Sequence, residues 1–193
     1  MKVIQLITLL FIAYTFSNGE GHTTDSVIVI KSQKSLKFLV DSLKINPQTL
    51  RFLVVKSKYK MSVWHDSLNI KTYQVVFGTN PIGDKLREGD RCTPEGKFKI
   101  ISKYPHSSWS KFIWIDYPNA DSWKKHNAAK KKGLIPQNAT IGGEVGIHGV
   151  PEGSDYAIDQ KNNWTWGCIS LKTNDINEIY PYFNKSTVIE IRR

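Results

Sequence analysis

Ile147-His148-Gly149 and, further along, Trp164-Thr165-Trp166-Gly167-Cys168-Ile169 are the stretches on which the reading of this chain turns. Each is short, suits a β-strand and carries one group able to do acyl chemistry. A thiol is a poor nucleophile until it loses its proton, and a neighbouring imidazole is the usual base that takes it. Gly167 removes side-chain bulk beside the sulfur, which lets a substrate carbonyl approach both the thiolate and nearby main-chain N–H donors. Residues this far apart in the chain meet only across a folded sheet.

Outward from these words the chain is mostly β in pattern. Phe52, Val54 and Lys56 alternate with Leu53 and Val55, Tyr59, Met61 and Val63 alternate with polar residues, and Lys71 to Phe77 is rich in β-formers. Asp66-Ser67-Leu68-Asn69 reads as the turn between the last two. Further short strands are expected around Phe98 and Ile100, at Phe112 to Ile115, at Ile141, at Val145 to Ile147, at Ile169 to Leu171 and at Val188 to Ile191. Many short strands with turns between them predict a mainly β fold, a β-sandwich or closed sheet with a few short helices. One helix follows Cys168, with Thr173 as its expected N-cap and Ile176, Ile179, Tyr180 and Phe183 on one face. Tyr117 to Gln137 is a long insertion of aromatics, lysines, Gly133 and Pro136, a mix that suits a lid or binding loop, with Tyr117 and Trp123 as candidate substrate walls.

The beginning of the chain has another character. Met1-Lys2 followed by the apolar run Val3 to Ala13 reads as a signal peptide with cleavage after Ser17, so residues 1–17 are expected to be removed on export to the periplasm or cell envelope. Residues 18–49 form an extension in which Leu36, Leu39, Val40 and Leu43 recur at helical spacing until Pro47 ends the run. No later segment approaches the roughly 20 apolar residues of a membrane span. The chain of 193 residues carries a formal charge of +10. Such a balance can draw nucleic acid, but export makes that partner unsuitable, and a polyanionic envelope is the better match. Two cysteines, Cys92 and Cys168, are present. A disulfide is the ordinary use of paired cysteines outside the cytoplasm. A core of this size needs no staple, however, and the glycine beside Cys168 suggests access, so Cys92 reads as a free thiol in a turn.

His148, sixteen intervening residues, then Thr165, an aromatic, Gly167, Cys168 and Ile169 resembles the signature of the YkuD-type L,D-transpeptidase catalytic domain, in its Trp-Thr-x-Gly-Cys-Ile branch. Lys56 to Met61, Phe77-Gly78, Thr93-Pro94-Glu95-Gly96-Lys97-Phe98 and Ile115 to Ala120 resemble further parts of it, in the right order, from about Leu50 to Arg193. Residues 50–193 are therefore expected to be the catalytic domain. Two positions depart from the commonest form: Trp166 stands where a histidine is frequent, and Ser170 where Arg or Asn is frequent.

The resemblance implies roles. Cys168 is the nucleophile, His148 its base, and the carbonyl of Gly149 orients the imidazole, a task that needs no particular side chain. Main-chain N–H groups of Trp166, Gly167 and Cys168 are candidates for the oxyanion hole, with Thr165 and Ser170 beside the substrate. The implied partner is peptidoglycan: Cys168 attacks a tetrapeptide stem and expels D-alanine, leaving a thioester. An amine from a second stem or a wall-attached protein then gives a cross-link or an attachment, and water gives L,D-carboxypeptidase activity. No metal or organic cofactor is implied.

Other chemistries fit less well. His22, His65, His106 and His126 show no zinc-enzyme spacing. Ser-x-x-Lys occurs at Ser108 and Ser122, but without the Lys-Thr-Gly that accompanies it in penicillin-binding enzymes. Gly96-Lys97 is no phosphate loop, because Arg91 and Phe98 occupy positions that the motif reserves for Gly and Ser or Thr. A wall-binding protein without activity is the alternative from another class, and a pure binder would need neither His148 nor Cys168.

Overall fold

The computed structural model describes residues 34–193; the expected signal peptide and the apolar run 27–30 lie outside the described residues. The alternating stretches after Leu50 become an antiparallel meander of β1 (Arg51–Val55), β2 (Lys60–His65) and β3 (Leu68–Gln74), with Asp66-Ser67 as the tight turn. Alternation sends Phe52, Val54, Met61 and Val63 into the core, where each is essentially fully buried. A buried side chain of this kind contributes roughly 1.5–3 kcal/mol.

The sheet then departs from chain order. β8 (Val188–Arg192) runs parallel to β1 and antiparallel to the first residues of β4 (Gly96–His106). The long β4 passes on to pair with β5 (Ser110–Ile115), followed by β6 (Gly146–Gly149) and β7 (Ile169–Leu171), in the order β3-β2-β1-β8-β4-β5-β6-β7. The final strand does not end at an open edge. Ser170 on β7 exchanges both main-chain hydrogen bonds with Val76, at 3.0 and 2.9 Å, and so meets the chain leaving β3. The fold is mainly β with a few short helices, as expected. Val145 and Ile141 are buried but lie outside the strands, and β6 begins at Gly146.

Helices cover the core. α1 (Leu36–Ser42) is capped by Ser35 and buries Leu36, Leu39 and Val40, while Leu43 falls at its exposed end. The Glu178 carboxylate accepts the Leu36 N–H at 2.7 Å and receives Lys71 and the Tyr73 hydroxyl, tying α1 to β3 and to the helix that carries Glu178. α4 (Thr173–Ile179) buries Ile176 and Ile179. Thr173 is its first residue and not its cap: Lys172 holds the cap position without a side-chain bond, and the Asp155 carboxylate accepts the Thr173 N–H. Phe183, beyond the helix, stacks on Phe52 with ring centres 4.1 Å apart.

The Tyr117 to Gln137 insertion differs from the expected loop. Its middle is α2 (Ala120–Lys131), capped by Asn119, with Asp121 in the first turn and Lys130 and Lys131 in the last, which suits the helix dipole. Lys125 donates to Asp84 and to the carbonyl of Glu95, and the buried His126 bonds the carbonyl of Leu86. The helix braces the segment 84–95. A short α3 (Tyr156–Asp159) precedes the Cys168 turn. No helix among the described residues is long and apolar enough to cross a membrane.

Candidate active site

β6 and β7 pair in parallel, with His148 opposite Ser170. Cys168 immediately precedes β7 and lines the same cleft as His148. The Gly146 N–H points at the Cys168 sulfur at 3.4 Å, and the sulfur is 3.6 Å from the carbonyl of Glu144. Gly146 has a local reason: a Cβ there would stand 2.4 Å from the Phe112 ring.

His148 Nδ1 lies 2.7 Å from the carbonyl oxygen of its neighbour Gly149. A carbonyl only accepts, so Nδ1 carries the proton and Nε2 keeps its lone pair. The Trp109 ring stacks on the imidazole at 4.3 Å, Phe112 is parallel at 5.7 Å and Trp164 meets it edge-on at 5.4 Å. Gly149 does need to be glycine: a Cβ would fall 2.6 Å from the carbonyl oxygen of Trp109 and 3.0 Å from Ile176. The carbonyl's task needs no particular side chain, but this contact with the turn before β5 leaves no room for one.

Burial dominates the electrostatics. It lowers His148 to about 4, against a raising effect of the Gly149 hydrogen bond. Burial pushes the Cys168 thiol up to about 11, opposed by the Gly146 N–H and by the charge of Lys85. The resting pair at neutral pH is therefore thiol and neutral imidazole.

The turn before Cys168 is held by Thr165. Its hydroxyl donates to the Cys168 carbonyl at 2.8 Å and accepts the Gly167 N–H at 3.2 Å. That bond occupies the Gly167 donor and leaves the N–H groups of Trp166 and Cys168 for an oxyanion. Gly167 has φ +142°, and a Cβ would stand 2.8 Å from the Cys92 carbonyl oxygen. Thr165, Trp166, Gly167, Cys168 and His148 line one cleft of about 890 Å³, a size that suits a peptide.

Three expected site residues stand elsewhere. Ser170 is fully buried between Val76 and His148, and its hydroxyl has no hydrogen-bond partner among the described residues. Tyr117 belongs to the core, edge-on to Phe98 with its hydroxyl on the Ile141 carbonyl. Trp123 projects from α2 against His126 and is absent from the cleft lining. Both cysteines are free, and Cys92 is buried. Among the described residues no three of His, Cys, Asp and Glu converge as metal ligands.

Sequence reasoning missed Lys85 and Arg91, which line the cleft. They sit on the segment that Lys56 anchors by donating to the carbonyls of Gly83 and Thr93 and to Glu95. No periodic or motif signal marks either cation, because their place depends on that long-range anchor.

The description of the YkuD L,D-transpeptidase catalytic domain matches residues 50–191, and the chain belongs to this family. Members of the family are L,D-transpeptidases. Among solved structures the fold is similar to Bd1075 of Bdellovibrio bacteriovorus, at 20% identity over 74% of this chain and 47% of that one, with a TM-score of 0.51. It is also similar to an L,D-transpeptidase from Mycobacterium smegmatis, at 12% identity over 75% of this chain and 59% of that one, with a TM-score of 0.50. A mutant of the helical cell shape determining protein Pgp2 from Campylobacter jejuni gives 20% identity over 81% of this chain and 53% of that one, with a TM-score of 0.50. The chain spans about half the length of these solved structures. A search of curated proteins found none that matches the chain.

Proposed function

We propose that this chain is an exported cysteine L,D-transpeptidase of peptidoglycan stem peptides, working through a thioester on Cys168. The observation that carries the reading is the hydrogen bond from His148 Nδ1 to the Gly149 carbonyl, which leaves Nε2 as a base in the cleft that the thiol also lines. In the first half-reaction the Sγ–H proton passes to His148 Nε2 as sulfur bonds to the carbonyl carbon of the third stem residue. The main-chain N–H groups of Trp166 and Cys168 receive the developing oxyanion. The C–N bond to D-alanine then breaks, and the leaving amine takes the proton back from His148. An acceptor amine, from a second stem or a wall-attached protein, repeats the sequence in reverse and frees the thiol. No organic cofactor or metal is needed for these steps.

One observation favours hydrolysis as a second reading. The segment expected to cover Cys168 packs instead against residues 84–95, so the thioester stays open to water from that side. L,D-carboxypeptidase activity is the outcome in that case.

Intact-mass analysis with tetrapeptide muropeptides tests both. Mass gain at Cys168, loss of D-alanine and abolition by Cys168→Ala support the thioester. Normal conversion by Cys168→Ala overturns it, and the ratio of cross-linked to tripeptide product separates transfer from hydrolysis.

A further inference from the structure

Trp109 lies between two imidazoles. The His106 ring stacks on it with centres 4.3 Å apart and planes 8° apart, and the His148 ring stacks on it at 4.3 Å and 25°. Two near-parallel rings at that distance cannot share one face of an indole. His106 therefore covers the face turned away from His148. The imidazole of His148 is buried, while Trp109 is half-buried at the tip of the hairpin that joins β4 to β5.

His106 also holds the main chain of that tip. Its Nδ1 accepts the N–H of Ser108 at 3.1 Å and the N–H of Trp109 at 3.2 Å. Both partners are donors, so Nδ1 carries the lone pair and the ring proton sits on Nε2. Ser108 is exposed, and water satisfies such an N–H as well as a side chain does. Strand pairing alone thus gives no reason for an acceptor here. What the acceptor fixes is the direction in which the Trp109 side chain leaves the turn. On the other side, the Trp109 carbonyl accepts the Gly149 N–H at 3.1 Å and the Lys111 N–H at 2.6 Å, so the tryptophan is gripped at both its N–H and its C=O. Ser110 follows with φ +61° and ties the tip to α4 by donating to Asn177 at 2.7 Å.

We propose that His106 is a positioning residue: through its Nδ1 acceptor it fixes the Trp109 ring over His148 and keeps water off the imidazole whose Nε2 serves as the base. This deepens the proposed function and rests on it for the task of His148. Trp109 is the closest of the three aromatic rings around that imidazole. Burial is the largest cause that lowers His148 to about 4, and a Trp109 ring free to swing would hydrate the imidazole and raise it again. The base would also lose its fixed direction toward the thiol. The other titratable groups that line the cleft, Lys85, Glu88, Arg91, Tyr104, Glu144 and Cys168, are left as they are by changes at His106.

The titration of His148, followed by NMR, tests this without any substrate. His106→Phe keeps a ring against Trp109 and loses the acceptor, whereas His106→Asn puts a carbonyl oxygen in the place of Nδ1 and loses the ring. Both remove the charge of His106, which itself acts to lower His148, so that effect cancels between them. The midpoint of His148 stays close to the native one in His106→Asn. In His106→Phe it moves at least halfway from about 4 to its ordinary 6.5. Equal titration in the two variants overturns the proposal. The native protein, which raises no question of folding, gives a second measurement: nitrogen shifts of His106 at pH 7 show the proton on Nε2, and a proton on Nδ1 overturns it. With tetrapeptide muropeptides, His106→Phe loses roughly tenfold in kcat with KM nearly unchanged; an unaltered kcat in a chain that turns over also overturns it. A difference between the two variants in His148 titration, in a chain that converts no muropeptide, upholds the positioning and sinks the peptidoglycan reading instead.

Discussion

The carbonyl oxygen of Trp109 accepts the Gly149 N–H at 3.1 Å, and it lies 2.6 Å from where a side chain on Gly149 would begin. One backbone group thus fixes the strand behind the imidazole, while the Trp109 ring rests on the imidazole itself. Gly149→Ala forces these two backbones apart. Overpacking of this kind typically costs about 1–3 kcal/mol, and here it also moves His148. The expected outcome is a lowered melting temperature and strongly reduced turnover. Native-like melting and turnover in this variant would show that the strand pair yields without moving the base.

With Cys168 raised to about 11 and His148 lowered to about 4, the native thiol is protonated at pH 7. Alkylation by iodoacetamide is therefore slow at neutral pH and rises about tenfold per pH unit up to about pH 10, following the thiolate fraction. A rate already on its plateau at pH 7 would mean a thiolate–imidazolium ion pair at rest.

Lys56 is almost wholly buried, and its three donors are engaged by Gly83, Thr93 and Glu95. Lys56→Met removes the cation and leaves Glu95 partly buried without its partner, which costs about 3 kcal/mol. Urea unfolding measures the loss. The segment carrying Lys85 and Arg91 should also lose order, read as faster amide exchange at residues 84–95. Unchanged exchange there would mean that α2 alone holds the segment.

Asp175 and Glu178, three residues apart on α4, respond to pH with opposite sign. Burial, then the nearby Glu178 carboxylate, push Asp175 up to about 6. A carboxyl raised on folding favours the fold below its unfolded value near 3.8, and this contribution is lost as pH rises through 6. Burial also acts to raise Glu178, but hydrogen bonds from Lys71, the Leu36 N–H and Tyr73 outweigh it and hold Glu178 low. Its contribution is present above about 4.5 and is lost as pH falls through the lowered folded value. Asp175→Asn should stabilise the protein at pH 8 by about 1 kcal/mol, allowing for solvent screening of a partly exposed group, with the gain gone at pH 4. Equal melting shifts at both pH values would refute a titration effect.

Strands were legible where apolar and polar residues alternate, as at Tyr59 to Val63, or where a run is wholly buried, as at Ile169 to Leu171, because burial on one face or both writes itself into residue type. The order in which strands pair has no such mark, and nothing local announces that Val188 to Arg192 lies between β1 and β4. Cys168 and His148 stood out by their chemistry and their neighbours. Tyr117 and Trp123 were misplaced because an aromatic in a polar insertion looks alike whether it faces a ligand, a helix or the core. Asn119 and Asp121 do carry a helix start, so α2 was within reach of capping arguments. Lys85 was not, since its place in the cleft depends on Asp90 and on the Lys56 anchor together.

The placement of β8 sets an order in time. It supplies the hydrogen bonds on one side of β1 and on one side of β4, and it comes after every other strand in the chain. Without it, the chain leaving β3 still meets β7 through Val76 and Ser170, but β1 and β4 have no ladder between them. Pairings of such long sequence separation form late and slowly. The sheet is therefore closed late, after the segments that carry His148 and Cys168 have been made.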